Sequence, residues 1–193
     1  MIPDRHTSSC RPALLVGALL LAMATRPALA ADYVQAPGST LTFASQFEGE
    51  IFTGHFSRFT TTLSFDPQHL DQARLEVTIP LASATTANPE RDSTLQGSDF
   101  FSSAVFPQAR YSASKFRHLG DNRYAADGTL TLRNVSHPVT LTFSWTDGAA
   151  PVLAGKATVQ RLDFGVGGGD WADLKMIPNA VAVSTRVNLQ AAP

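Results

Sequence analysis

The sequence has almost no cysteine. Its 193 residues contain one, Cys10, which leaves no basis for a disulfide scaffold or a cysteine-ligated metal site. Lysine is scarce too, with only Lys115, Lys156 and Lys175. Charged residues make up 16% and the net charge is −1, so the basic surface expected of a nucleic-acid partner is missing. Chemistry-bearing motifs are also few. Beyond His6 near the N-terminus, the histidines His55, His69, His118 and His137 lie at no helical ligand spacing, and no H-E-x-x-H occurs. No G-x-S-x-G elbow is present. The glycines of Gly165-Val166-Gly167-Gly168-Gly169 are followed by neither a long helix nor Lys-Ser/Thr, so they do not form a phosphate loop. Asn134-Val135-Ser136 fits a glycosylation sequon, a signal too short to carry a function by itself. Apolar residues, at 44%, are an ordinary share, and that composition predicts a folded chain.

One long apolar run exists, and it is N-terminal. Arg5 and Arg11 precede Ala13–Ala24, and Ala28-Leu29-Ala30 follows. A basic n-region, a short apolar stretch and an A-x-A site predict a secretory signal peptide over residues 1–30. The run is short for a membrane span, which needs about 20 residues. An uncleaved anchor is the alternative. Cleavage after Ala30 takes Cys10 with it and leaves a soluble, thiol-free exported domain of residues 31–193.

Period-two alternation dominates that domain, the signature of strands with one buried face. Leu41, Phe43, Ser45 and Phe47 share a face, as do Leu75, Val77, Ile79 and Leu81. Val139, Leu141, Phe143 and Trp145 alternate with Thr140, Thr142, Ser144 and Thr146; Val181 to Leu189 repeat the pattern. Further strands are expected at 110–116, 124–132 and 153–162. Phe56 and Phe59 differ in parity, which predicts a bulge near Ser57-Arg58. Asp66-Pro67, Asp121-Asn122, Arg133-Asn134 and Asp147-Gly148 mark turns. Asn88-Pro89-Glu90 reads as the start of a short helix ending near Gly97. The pattern predicts one all-β domain, a single antiparallel barrel of about eight strands with a short helical excursion. A sandwich is the alternative.

Two clusters carry what chemistry there is. Glu90, Asp92 and Asp99 gather around the excursion with Arg91. They suit either acid–base work or complementation of the helix dipole, the reading preferred here. Arg91 fits a site inside the fold against Asp92 or Asp99, or at an opening that faces a ligand head group. The second cluster is aromatic. All 12 phenylalanines fall after residue 30 and concentrate between Phe43 and Phe116. A small barrel holds either packed side chains or one small ligand, so this excess is a plug or a cavity lining.

These motifs resemble one family. Arg91, Asp92, Leu95, Asp99, Phe100, Phe101, Phe106, Pro107 and Tyr111 match the R-D-x-x-L-x-x-x-D-F-F…F-P-x-A-x-F/Y signature of YceI-like proteins. Gly54, Phe56, Phe59, Phe65, Asp66 and Pro67 match its G-x-F-x-x-F and F-D-P elements, and LTLRNVSHPVTL and RLDFGVGGGDWAD resemble its downstream motifs. The likeness spans about Asp32 to Leu189. It implies a lipocalin-like barrel, a periplasmic location and a polyisoprenoid, such as a quinone tail, in a hydrophobic channel. It transfers no catalytic residue. Phe47 stands where many members have histidine, and Asn134 replaces the family's turn glycine.

On this basis the candidate channel residues are Phe43, Phe56, Phe65, Phe100, Phe101, Phe106, Phe143, Trp145 and Trp171, with Arg91, Asp92 and Asp99 as polar residues of the channel mouth or of structure. The expected function is a non-enzymatic periplasmic carrier of a polyisoprenoid or isoprenoid quinone, with no other cofactor, no metal and no nucleic acid, and with transient membrane contact allowed. The oligomeric state stays open. The rival readings are an isomerase or hydrolase of such a lipid using Asp92 or Asp99, and a stress-associated envelope protein with a filled barrel.

Overall fold

The computed structural model describes residues 31–193; the expected signal peptide lies outside the described residues. Twelve elements follow in chain order: β1 (Ala31–Gln35), β2 (Thr40–Phe47), β3 (Glu50–Phe56), β4 (Thr60–Phe65), β5 (Arg74–Pro80), β6 (Ala84–Thr85), α1 (Pro89–Gln96), β7 (Gln108–Gly120), β8 (Arg123–Leu132), β9 (Val135–Thr146), β10 (Val152–Gln160) and β11 (Ala180–Ala191).

Every pairing is antiparallel. Eight strands close a barrel in the order β1-β4-β5-β7-β8-β9-β10-β11, with β11 returning to β1 through Gln35↔Leu189. Closure leaves the ring without a free edge and excludes the sandwich. The long β11 serves two partners. Its last residues pair with β1, while Ala182–Arg186 pair with β2. Between those partners the chain turns at 36–39, where Asn188 accepts from the Ala36 amide at 2.7 Å and donates to Ser39 Oγ at 3.0 Å. β2, β3 and the short β6 extend one wall beyond the ring.

The parity change between Phe56 and Phe59 is a corner and not a bulge. β3 pairs with β2 and β6, whereas β4 pairs with β1 and β5. The chain changes partners across 57–59, and the amide of Ser57 donates to Ser83 O at 2.9 Å. The true register shifts fall in β7, at Ala113/Lys115 and His118/Gly120.

Local signals place the other turns. Arg133 and Asn134 take φ of 52° and 61° between the paired Leu132 and Val135, the left-handed pair of a two-residue hairpin. Asn134 therefore meets the backbone demand that glycine meets elsewhere. Helix α1 starts as expected. Asn88 Oδ1 accepts from the Arg91 amide at 3.0 Å, Pro89 opens the helix and Gly97 ends it. Only Leu95 of α1 is buried, so polar contacts must hold the helix down.

The aromatic residues divide into two groups at opposite ends of the barrel. At one end Phe65 meets Trp145 at 4.9 Å, Tyr124 at 5.1 Å and Phe143 at 5.6 Å between ring centroids. Phe116 and Tyr33 complete this floor. At the other end Phe43, Phe56 and Phe101 form a chain of contacts, and Phe100 and Phe47 flank Trp171. The excess of phenylalanine is thus both a plug and a lining.

Candidate functional site

Between the two aromatic groups lies a cavity of about 490 Å³, within the usual size of ligand pockets. Its wall is the inward face of the barrel. Most strands supply alternate residues, such as Val77 and Ile79 from β5 and Val181 and Val183 from β11. These four are only half-buried although they point inward. A filled barrel would bury them; here the space inside keeps them accessible.

The cavity is blind at the aromatic floor. Leu41, Leu75, Leu141, Leu153 and Val187 bound it there, while Leu63, Phe65 and Leu189, further along the same strands or their neighbours, no longer reach it. The open end is polar. Asn88 and Glu90, both exposed, border it with Arg91 and Thr94 of α1. The Arg91 Cζ lies 4.6 Å above the centre of the Phe52 ring, and its Nε donates to Thr86 Oγ1 at 3.0 Å. Such a stacked guanidinium is held without a carboxylate partner.

Asp92 does a different job. Its Oδ2 accepts from Thr85 Oγ1 at 2.6 Å, and its Oδ1 from the Thr86 amide and hydroxyl at 2.7 and 2.6 Å. Burial raises its pKa, but these donors and the Arg91 charge outweigh it and hold the carboxyl below the ordinary value. Asp92 therefore moors α1 to β6 and stays outside the cavity. Asp99 is outside as well. Its carbonyl accepts from the Gly167 amide at 2.6 Å and its carboxylate from Trp171 Nε1 at 3.3 Å, which joins the excursion to the segment after β10. Among the described residues, Glu90 is the only carboxylate that borders the cavity, and no group of three His, Asp or Glu side chains is arranged for a metal.

Of the candidate aromatic residues, Phe43, Phe56, Phe100, Phe101 and Trp171 line the cavity. Phe65, Phe143 and Trp145 do not, because they are packed into the floor at 1%, 2% and 4% exposure. Phe106 also lies outside it. Its ring sits beneath the Arg133 guanidinium at 5.9 Å, and that guanidinium donates to Phe100 O at 2.7 Å and to Gly165 O. Phe47 stands at the mouth with its ring 6.4 Å from Trp171.

Sequence reading passed over Phe52, Phe59, Thr61 and Arg161 as wall residues. Arg161 is the largest omission. It is 3% exposed, and its five N–H groups are all used by backbone carbonyls. Nε donates to Pro178 O at 3.1 Å, Nη1 to Val166 O at 3.0 Å and to Gly167 O, and Nη2 to Trp171 O and Ile177 O at 2.8 Å each. Desolvation lowers its pKa, yet carbonyl dipoles compensate the charge. One signal was available: Leu153, Gly155, Ala157 and Val159 alternate inward along β10, and Arg161 continues that parity.

Tyr111 also faces the cavity, but its hydroxyl is engaged, donating to Ala126 O at 2.8 Å. Burial pushes its pKa up to about 12, so it remains a phenol. The site offers apolar wall, few free polar atoms and no paired nucleophile and base. Its chemistry is that of a binding pocket.

Comparison with known proteins agrees with this geometry. The family model of the YceI-like domain matches residues 33–191. A UPF0312 protein of Photorhabdus laumondii is 35% identical over 132 residues, covering 66% of this chain and 67% of its own length. The crystal structure of Burkholderia cenocepacia BcnA superposes with a TM-score of 0.75 at 26% identity, covering 78% of this chain and 95% of BcnA. A polyisoprenoid-binding domain from Saccharophagus degradans shares the fold at a TM-score of 0.65 and 17% identity, over 85% of this chain and 99% of that one. With a match spanning nearly every described residue, the chain belongs to the YceI-like family.

Proposed function

We propose that the protein is a carrier for an isoprenoid lipid, a quinone among the fitting ligands, and that it holds the hydrocarbon chain inside the barrel. The observation that carries this reading is the hollow, blind, apolar cavity in which the inward Val77, Ile79, Val181 and Val183 stay half-accessible. Each buried methylene contributes about 0.8 kcal/mol. A few isoprene units therefore offset the cost of ordering a flexible chain. The polyisoprenoid-binding activity of the Saccharophagus neighbour supports the ligand class.

Binding without catalysis is the better-supported class, because Asp92 and Asp99, the acids that a lipid-processing enzyme would use, are engaged outside the cavity. The features of residues 1–30 support export to the periplasm. Ile51, 73% exposed, and Leu174, 54% exposed, lie in the two segments that flank the mouth and meet through the Glu48 amide and Met176 O. They support loading by transient contact with a membrane.

The test is mass spectrometry of an organic extract from gently purified periplasmic protein, followed by thermal melting with an added prenyl quinone. An isoprenoid in the extract and a raised melting temperature are expected. An extract free of isoprenoids, together with an unmoved melting temperature, overturns the proposal.

A further inference from the structure

The floor end of the cavity holds a polar atom that the protein leaves without a partner. Thr61 is an inward residue of β4, 3% exposed, and its Oγ1 makes no hydrogen bond among the described residues. It faces the cavity between Phe59, which also lines it, and Leu63, which lies beyond it. Thr61 is therefore the deepest lining residue of its strand. Across the sheet stand Val77 and then Tyr111.

Buried hydroxyls are almost always paired, because an unpaired one forfeits its hydrogen bonds to water. Other hydroxyls of the wall, Ser45 excepted, obey this rule. Tyr111 donates to Ala126 O at 2.8 Å, and Thr185 to Thr40 O at 2.9 Å. Among the described residues, Thr61 and Ser45 are the only cavity-lining hydroxyls that are buried and unpartnered. Ser45 sits between Phe43 and Phe47, toward the mouth. A hydrocarbon segment against Thr61 would keep its hydroxyl unpaired. A neutral oxygen there, whether carbonyl or hydroxyl, would pair it.

We infer that the cavity takes its lipid polar end first, with Thr61 as the hydrogen-bonding partner of a carbonyl or hydroxyl oxygen, and that it selects oxygen-bearing isoprenoids over bare hydrocarbons. This inference rests on the carrier reading above. In this arrangement the chain trails toward α1 and leaves by the mouth, where Phe52 and Phe101 flank it and Arg91 remains on Thr86.

The test uses the protein of residues 31–193 and two probes, farnesol and the hydrocarbon of the same carbon skeleton, titrated by tryptophan fluorescence through the cavity residue Trp171. One neutral hydrogen bond predicts a preference for farnesol of about fivefold. Thr61→Val keeps the branched shape and the strand preference, and it is expected to abolish the preference. Thr61→Ser retains the hydroxyl and is expected to retain the preference. Ser45→Ala is expected to leave it unchanged. Equal binding of both probes by the wild type overturns the inference alone. A preference that survives Thr61→Val, or one that disappears in Ser45→Ala, overturns it by placing the oxygen elsewhere. Binding of neither probe overturns the carrier reading and this inference with it.

Discussion

The ring of Phe43 lies over the backbone of Gly54, its cross-strand partner. A Cβ at position 54 would overlap the ring, with Phe43 Cε1 and Cε2 at 2.8 Å. The glycine thus sets how far the ring retreats from the cavity, and Phe56 meets the same ring at 5.5 Å.

Gly54→Ala is therefore expected to push Phe43 into the cavity. Overpacking of this kind costs about 1–3 kcal/mol. The protein should melt lower, and a prenyl quinone should raise its melting temperature less than it raises that of the wild type. An unchanged ligand response would mean that the ring finds room away from the channel.

Phe65→Ala and Phe101→Ala should differ although both remove a benzyl group. Phe65 is fully enclosed by four aromatic neighbours, and its loss should cost about 3–5 kcal/mol. Phe101 faces space that already exists, so its loss should cost less in the free protein and show mainly in ligand affinity. Urea unfolding of the two variants side by side, with and without quinone, makes the comparison.

Arg161→Lys should be strongly destabilising despite the conserved charge. An ammonium has three donors on one atom, and it cannot reach five carbonyls spread over 166–178. Leaving even one buried carbonyl unpaired costs about 1–3 kcal/mol. Limited proteolysis should cut the variant faster between residues 165 and 177. Wild-type resistance in that segment would show that the carbonyls hold their places without the guanidinium.

One part of the acid sensitivity belongs to Asp127. The Arg117 guanidinium donates to it at 2.7 and 3.0 Å and Thr140 Oγ1 at 2.8 Å, which lowers its pKa from 3.8 to about 2. A carboxyl depressed on folding stabilises above its unfolded pKa and ceases to do so as pH falls through its folded pKa. The melting-temperature gap between wild type and Asp127→Asn should be constant above pH 3.8 and close as pH falls toward about 2. A constant gap down to the lower limit would remove the ion pair from the explanation.

How far the sequence reaches depends on whether the signal is local. Helix α1 was legible because Asn88, Pro89 and Gly97 act on their own turn. β9 was legible because one face is wet and the other buried. The corner at 57–59 was misread as a bulge, since parity reports which face a side chain takes but not which strand it pairs with. β1 escaped notice because its five residues give too little alternation to read. The site shows the same limit along another axis. Thr61 and Phe65 share β4 and a face, yet four residues at about 3.3 Å each set them roughly 13 Å apart. One lines the cavity and the other plugs its end. Alternation fixes the face, whereas depth along the strand follows from the register of eight strands together. Arg161 and Thr61 were overlooked for a related reason, because an isolated polar residue on an apolar face gives no motif.

The aromatic floor makes the barrel a cup and not a pipe. For a carrier of the kind proposed, cargo that comes in past Phe52 and Phe101 must go out past them. Donor and recipient must then take turns at one doorway, each excluding the other. Transfer in one direction therefore requires the protein to let go of the first partner before it meets the second.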